Sequence, residues 1–135
     1  MNGDNEINMD KKRFMLDTNV IIETLNNKLD LLLFLDTLGD CEIYLSPIVA
    51  IEVLAKPDMN KQEEAEVRSF LDFFKWAEID KPTCETAIQI RRDRNLRLPD
   101  ALIAASAIVL NATVLSNDPH LRDYQRTGYT AIAVK

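Results

Sequence analysis

The sequence is poor in cysteine and contains no long apolar run. Its two cysteines, Cys41 and Cys84, lie far apart in a chain of 135 residues, which argues against a disulfide framework and a cysteine-ligated zinc site. No apolar stretch approaches the roughly 20 residues of a membrane helix. Residues 1–12 are polar and acidic and lack the hydrophobic segment of a signal peptide. We therefore expect a cytoplasmic protein with a flexible lead-in over residues 1–12 and one domain over residues 13–135.

The net charge of −6 argues against a general nucleic-acid coat, but the charge is unevenly distributed. Residues 1–80 carry 8 basic and 17 acidic side chains, whereas residues 81–135 carry 8 basic and 5 acidic ones. The sequence therefore predicts a locally basic side on an acidic protein.

Short apolar runs alternate with segments of helical periodicity along the chain. At 47% apolar and 28% charged residues, this length suits one domain with one core. Strands are predicted at residues 14–16, 42–45, 76–79, 113–115 and 129–134. Helices are predicted from residue 20, at 28–38, from Ser46 to before Pro57, and at 67–74, 84–94 and 100–110. The alternation indicates an α/β fold with a mainly parallel five-stranded sheet that is covered on both faces.

Four acids stand at notable places in this pattern. Asp17 and Asp118 follow predicted strands, Asp100 begins an apolar helix, and Glu52 lies within another helix. Each has an ordinary explanation when taken alone. Asp17 and Asp100 suit helix starts, Asp118 suits a turn, and Glu52 suits a solvated position beside Lys56.

Taken together, the four acids predict a metal site. A parallel sheet brings strand ends and the following helix starts to one edge, where ligands bind. Carboxylates without histidine or cysteine among them favour hard cations such as Mg²⁺ or Mn²⁺. Without a cation, clustered carboxylates would raise one another's pKa values. Hydrolysis of a phosphodiester is the chemistry that such a site favours.

Four segments resemble the motifs of PIN-domain nucleases, and above all those of the VapC-type toxins of toxin–antitoxin pairs. They are residues 16–21 (LDTNVI), 46–54 (SPIVAIEVL), 98–105 (LPDALIAA) and 115–118 (LSND). The first and third segments are the most specific. The resemblance extends over residues 14–134, which is nearly the whole chain.

The resemblance implies a three-layer α/β/α domain and a Mg²⁺- or Mn²⁺-dependent endoribonuclease. The family's catalytic and metal-binding acids map onto Asp17, Glu52, Asp100 and Asp118. The surrounding polar residues map onto Thr18, Asn19 and Ser116, of which Thr18 and Asn19 would steady Asp17. The fourth motif departs from the family pattern at Pro119 and His120, which leaves open whether Asp118 or Asn117 completes the site. The number of metal ions is also open.

The resemblance further implies a homodimer and an antitoxin whose C-terminal segment covers the active site. The leucine-rich residues 29–38 and the aromatic residues 70–74 could form a groove for that antitoxin. The alternatives are a PIN-domain nuclease in RNA processing outside toxin–antitoxin systems and a non-catalytic α/β interaction module.

Basic residues precede Asp100 and could bind RNA phosphates. They are Arg91, Arg94 and Arg97, of which Arg97 is nearest to Asp100. A solvated helix face is an equally good explanation for these arginines. His120 is the only histidine, and we expect it on the surface of a turn.

Overall fold

The computed structural model describes residues 11–93 and 96–135. The predicted lead-in therefore lies outside the described residues, apart from Lys11 and Lys12. The first strand begins at Lys12, two residues before its predicted start, and the boundary between lead-in and domain stays a prediction.

The described residues form five strands and seven helices. In chain order they are β1 (Lys12–Leu16), α1 (Thr18–Leu25), α2 (Leu31–Asp36), β2 (Cys41–Leu45), α3 (Pro47–Leu54), α4 (Lys61–Leu71), β3 (Lys75–Trp76), α5 (Lys81–Asp93), α6 (Leu98–Leu110), β4 (Thr113–Leu115), α7 (Pro119–Arg122) and β5 (Ala131–Ile132). All strand pairs are parallel, in the order β3-β2-β1-β4-β5. The predicted α/β fold with a parallel five-stranded sheet is confirmed.

The central strand β1 ends level with its two neighbouring strands. Leu16, the last residue of β1, is in register with Leu45 of β2 and Leu115 of β4. The whole run from Phe14 to Leu16 is buried because neighbouring strands and covering helices surround it. The chain segments that leave these three strands therefore begin at the same edge of the sheet.

Local sequence signals set most helix starts. At α3, the Ser46 hydroxyl accepts a hydrogen bond from the Ile48 amide, and Pro47 takes the first helical position as predicted. Helix α6 begins at Leu98 rather than at Asp100, because Pro99 fits the first turn. Its alanines and Ile103 are buried, as an all-round apolar helix requires.

Helix α2 is shorter than the predicted 28–38, and helices α4 and α5 begin earlier than predicted. Helix α4 begins at Lys61, six residues before the predicted start, because Asn60 and Glu63 form a reciprocal capping box. Helix α5 begins at Lys81, where a turn was expected, because the Asp80 carboxylate accepts from the amide and hydroxyl of Thr83. Capping by Asn60, Glu63 and Asp80 therefore allows these charged segments to begin as helices.

The two cysteines are free thiols: Cys41 is half-buried and Cys84 is exposed. The described part of the chain contains no helix that is both long and apolar enough to cross a membrane.

A buried ion pair connects three strands at the amino-terminal side of the sheet. Arg13 of β1 and Glu42 of β2 are each 7% exposed, and Arg13 Nε lies 3.1 Å from Glu42 Oε1. The second carboxylate oxygen of Glu42 lies 2.8 Å from Lys75 Nζ. Arg13 also donates to the Leu110 carbonyl at the end of α6. These contacts hold the pKa of Glu42 below its usual value, chiefly through Lys75.

We expect Glu42→Ala to lower the free energy of unfolding by about 3 kcal/mol, since it removes the buried carboxylate that pairs with both Arg13 and Lys75. Urea unfolding at pH 7 measures the change. The matched control is Glu64→Ala, which breaks an exposed pair with Arg68 and should cost less than about 1 kcal/mol. Equal losses in the two variants would contradict this account.

Candidate functional site

The four predicted acids lie on elements that begin at or near the carboxyl edge of the sheet. Asp17 follows β1 and occupies the N-cap position of α1, and Asp118 follows β4 and occupies the N-cap position of α7. Asp100 lies in the first turn of α6, and Glu52 lies within α3. Asp17 and Asp100 are buried, whereas Glu52 is exposed.

Ser116 connects two of the acids. Its hydroxyl donates to Asp17 Oδ2 over 2.7 Å and accepts from the Asp118 backbone amide over 3.0 Å. Ser116 is fully buried, and the Asp17 amide donates to the neighbouring Leu115 carbonyl. The ends of β1 and β4 therefore hold Asp17 and the Asp118 backbone in a fixed relation.

The pKa values indicate that the acids interact. Burial raises the pKa of Asp17 to about 6; the Ser116 hydrogen bond opposes the increase, and the charges of Asp100 and Asp118 add to it. Asp17 is only 3% exposed, so water screens these charges poorly. Burial likewise raises the pKa of Asp100. Arg97 opposes that increase, and the charges of Asp118 and Glu52 contribute to it.

Thr18 contacts a different acid from the one expected. Its hydroxyl donates to Glu52 Oε1 over 2.7 Å, so it joins the start of α1 to α3 instead of steadying Asp17 through its side chain. The Thr18 backbone amide does help to lower the pKa of Asp17. Asn19 is exposed in the first turn of α1, and its role remains a prediction.

Asn117 and Asp118 differ in their hydrogen bonds. The Asn117 amide oxygen accepts from the Val134 backbone over 2.9 Å, and its nitrogen approaches Glu23 at 3.4 Å. Asp118 Oδ1 accepts from the His120 backbone amide and lies 3.1 Å from the imidazole Nδ1. The Asn117 oxygen holds the C-terminal segment and Asp118 Oδ1 holds His120, so which residue completes a metal site stays a prediction.

Tyr129 is a site neighbour that sequence reasoning missed. Burial and the charges of Asp17 and Asp100 raise its pKa. Its hydroxyl donates to the Leu121 carbonyl over 2.6 Å and so anchors α7 beside the acids. Nothing in its local sequence separates it from an ordinary core tyrosine.

The basic residues beside the site behave differently from one another. Arg97 is exposed at the N-cap of α6, where its charge lowers the pKa of Asp100. Arg91 Nη1 donates to the Leu96 carbonyl over 2.8 Å and so braces the start of α6. Arg94 lies outside the described residues.

The donor set fits a hard divalent cation by its chemistry. Asp17, Glu52, Asp100 and Asp118 all offer carboxylate oxygens, and Mg²⁺ and Mn²⁺ favour such ligands. Burial is the main cause of the raised pKa of Asp17, and the nearby charges of Asp100 and Asp118 add to it. Within residues 11–93 and 96–135, no three potential ligands are already arranged around a common ion position. Side-chain rotation would therefore have to accompany metal binding.

We expect Asp17→Asn to stabilise the metal-free protein at neutral pH but not at pH 4. The pKa of Asp17 is higher in the folded state than its ordinary value of 3.8, so the folded state loses stability as pH rises from about 4 to 6. The stability difference between variant and wild type should grow by about 2 to 3 kcal/mol between pH 4 and pH 7.5. Urea unfolding with a chelator measures it, with Asp123→Asn at an exposed position as control. A difference that does not change with pH would contradict the assignment.

Comparisons with known proteins agree with this fold. No curated protein matches the sequence. VapBC2 from Rickettsia felis, solved with promoter DNA, is 21% identical with a TM-score of 0.79, covering 91% of this chain and 99% of that one. DNA-bound VapBC from Salmonella typhimurium is 24% identical with a TM-score of 0.74, covering 90% and 98%. A toxin–antitoxin complex from Klebsiella pneumoniae is 22% identical with a TM-score of 0.72, covering 86% and 94%. The PIN domain family model matches residues 14–126, and the chain therefore belongs to the PIN-domain family.

Proposed function

We propose that this protein is a Mg²⁺- or Mn²⁺-dependent endoribonuclease and the toxin of a toxin–antitoxin pair. The observation that carries the proposal is the electrostatic coupling of Asp17, Asp100, Asp118 and Glu52 at the carboxyl edge of a PIN-domain sheet. The similar structures from three bacteria, each solved as a toxin–antitoxin complex, support the toxin role. An enzyme that acts on cellular RNA works in the cytoplasm, and we place it there.

Each acid has a distinct part in this proposal. Asp17 and Asp100, the two buried acids, would be the principal ligands, and Glu52 and Asp118 would complete the set. When bound, the cation supplies activation of water and neutralisation of charge on the scissile phosphate. Ser116 orients Asp17 with a hydrogen bond, and Thr18 orients Glu52 in the same way.

Arg97 is the residue that we assign to an RNA phosphate. It is exposed, its charge is permanent, and it lies close enough to Asp100 to lower the pKa of that acid. Arg91 would act indirectly, through its hydrogen bond to the Leu96 carbonyl just before α6. A role for Arg94 in RNA binding stays a prediction from the sequence.

Asp100→Asn should abolish Mn²⁺ binding and RNA cleavage, because it removes a buried ligand charge. Ser116→Ala should weaken Mn²⁺ binding about 10- to 100-fold, since it frees Asp17 to reorient. Calorimetry on the purified chain and a gel assay with total RNA measure the two effects. Glu85→Gln, at an exposed acid of α5, is the control and should behave as wild type. Unchanged Mn²⁺ binding by Asp100→Asn would rule out this site.

An antitoxin segment has a groove available beside the acids. The groove, of about 490 Å³, lies between α1, α3 and α4. Its apolar lining is Ile22, Leu25, Val53, Met59 and Val67, and its acids are Glu52, Glu63 and Glu66. The leucine-rich segment predicted to form such a groove instead sends Leu31 and Leu35 into the core. Because Glu52 belongs to both the groove and the acid group, a segment bound here would reach the active site.

If the neighbouring gene encodes a short DNA-binding protein, we expect Leu25→Glu to prevent its copurification, because the change places a charge in the apolar lining. Nuclease activity and Mn²⁺ binding should be retained. The control is Leu33→Glu, which changes an exposed leucine of α2 outside the groove and should copurify normally. If cleavage is found but no neighbouring protein binds the wild type, the RNA-processing alternative replaces the toxin proposal.

A second copy of the chain is the other partner that we propose. Ile51, Phe73 and Leu98 are each more than half exposed, which makes them apolar contacts available to a homodimer.

A further inference from the structure

A pocket of mixed chemistry adjoins the candidate active site. It encloses about 520 Å³ and is lined by Leu96, Arg97, Asp100 and His120, which we call the Arg97–His120 pocket. Asp100 is shared with the acid group, so whatever occupies the pocket lies next to the reacting phosphate of the proposed nuclease. The lining offers a permanent cation, an imidazole and an apolar side chain.

His120 is oriented by Asp118. Its Nδ1 lies 3.1 Å from Asp118 Oδ1, and its backbone amide donates to the same oxygen over 3.0 Å. Because Nδ1 faces Asp118, the other ring nitrogen, Nε2, remains for an outside partner. The side chain is 73% exposed, so Nε2 is accessible.

The partner chemistry that suits Nε2 is a hydroxyl group. A neutral imidazole with its proton on Nδ1 accepts a hydrogen bond at Nε2, and an imidazolium donates one there. A ribose 2′-hydroxyl both donates and accepts, so it can pair with Nε2 in either charge state. A phosphate oxygen accepts only, and it could pair with the charged ring alone.

We propose that the Arg97–His120 pocket seats one nucleotide of the RNA, with Arg97 on its phosphate and His120 on its 2′-hydroxyl. This inference rests on the proposed function and adds a residue that selects RNA over DNA. His120 is a positioning and specificity residue here. Its backbone amide donates the capping hydrogen bond to Asp118 at the start of α7, and its ring contacts the 2′-hydroxyl of the ribose.

The test compares binding of two nucleic acids that differ only in the 2′-hydroxyl. Fluorescence anisotropy with a chelator measures affinity for a randomised 12-nucleotide RNA pool and for the matching deoxyribose pool containing deoxyuridine. Wild type should prefer RNA, and His120→Ala should lower RNA affinity about fivefold, the effect of one hydrogen bond, while DNA affinity stays unchanged. His120→Gln should restore part of the preference, since its amide can bond to a hydroxyl.

Arg97→Ala provides the contrasting result. It should lower affinity for both pools alike and reduce the slope of log affinity against log salt by about 0.7, because one phosphate contact is lost. Arg122→Ala, an exposed arginine on the same short helix as His120, is the charge control and should leave the RNA:DNA ratio unchanged.

Two results would overturn the inference. One is equal binding of RNA and DNA by wild type, and the other is an RNA preference that His120→Ala leaves intact. An equal loss for both pools in His120→Ala would make His120 a phosphate contact and would also reject the sugar assignment. Mn²⁺-dependent cleavage of the same RNA pool is measured separately, so failure of the nuclease proposal is distinguishable from failure of the pocket.

Discussion

The organisation of the carboxyl edge depends on the hydrogen bond between Ser116 and Asp17. This contact lies where two parallel strands end side by side, and it holds a carboxylate that is nearly without solvent. The same serine oxygen accepts a hydrogen bond from the Asp118 backbone amide, so one buried hydroxyl positions two acidic segments. Asp17 occupies the N-cap position of α1, but its side chain makes no capping hydrogen bond there. Its carboxylate accepts a hydrogen bond from Ser116 instead. Helix α1 therefore lacks the stabilisation that a side-chain cap from Asp17 would provide.

Buried carboxylates have opposite pKa shifts at the two ends of the strands. At the amino-terminal side, Glu42 is surrounded by Arg13, Lys75 and the Tyr44 hydroxyl, which together favour its ionised form. At the carboxyl edge, Asp17 and Asp100 have raised pKa values because burial and like charges disfavour ionisation. The first arrangement pairs its carboxylate with cationic side chains, whereas the second brings carboxylates close to one another. Perturbed carboxylates of the second kind are typical of functional sites.

Much of the fold followed from periodicity, since β1, β2, β4, α3 and α6 have strong local patterns and clear boundaries. The edge strands β3 and β5 came out shorter than predicted, because apolar composition does not show where strand pairing ends. Helix α4 was predicted too late, since its charged first turns hide a capping box from a search for apolar periodicity. Pattern reasoning also predicted that the four acids converge at one edge, and their joint role as metal ligands stays a prediction. It could not find Tyr129 or the Thr18–Glu52 contact, because both depend on packing between segments distant in sequence.

The shared position of Glu52 has a thermodynamic consequence. It lines the groove between α1, α3 and α4, and its charge also reaches Asp100. Any ligand that neutralises or displaces Glu52 from the groove side changes the electrostatic free energy on the acid side. By linkage, occupancy of the acid side must change affinity in the groove by the same factor. The two surfaces are therefore reciprocally coupled through a single carboxylate, without any need for a change in the fold.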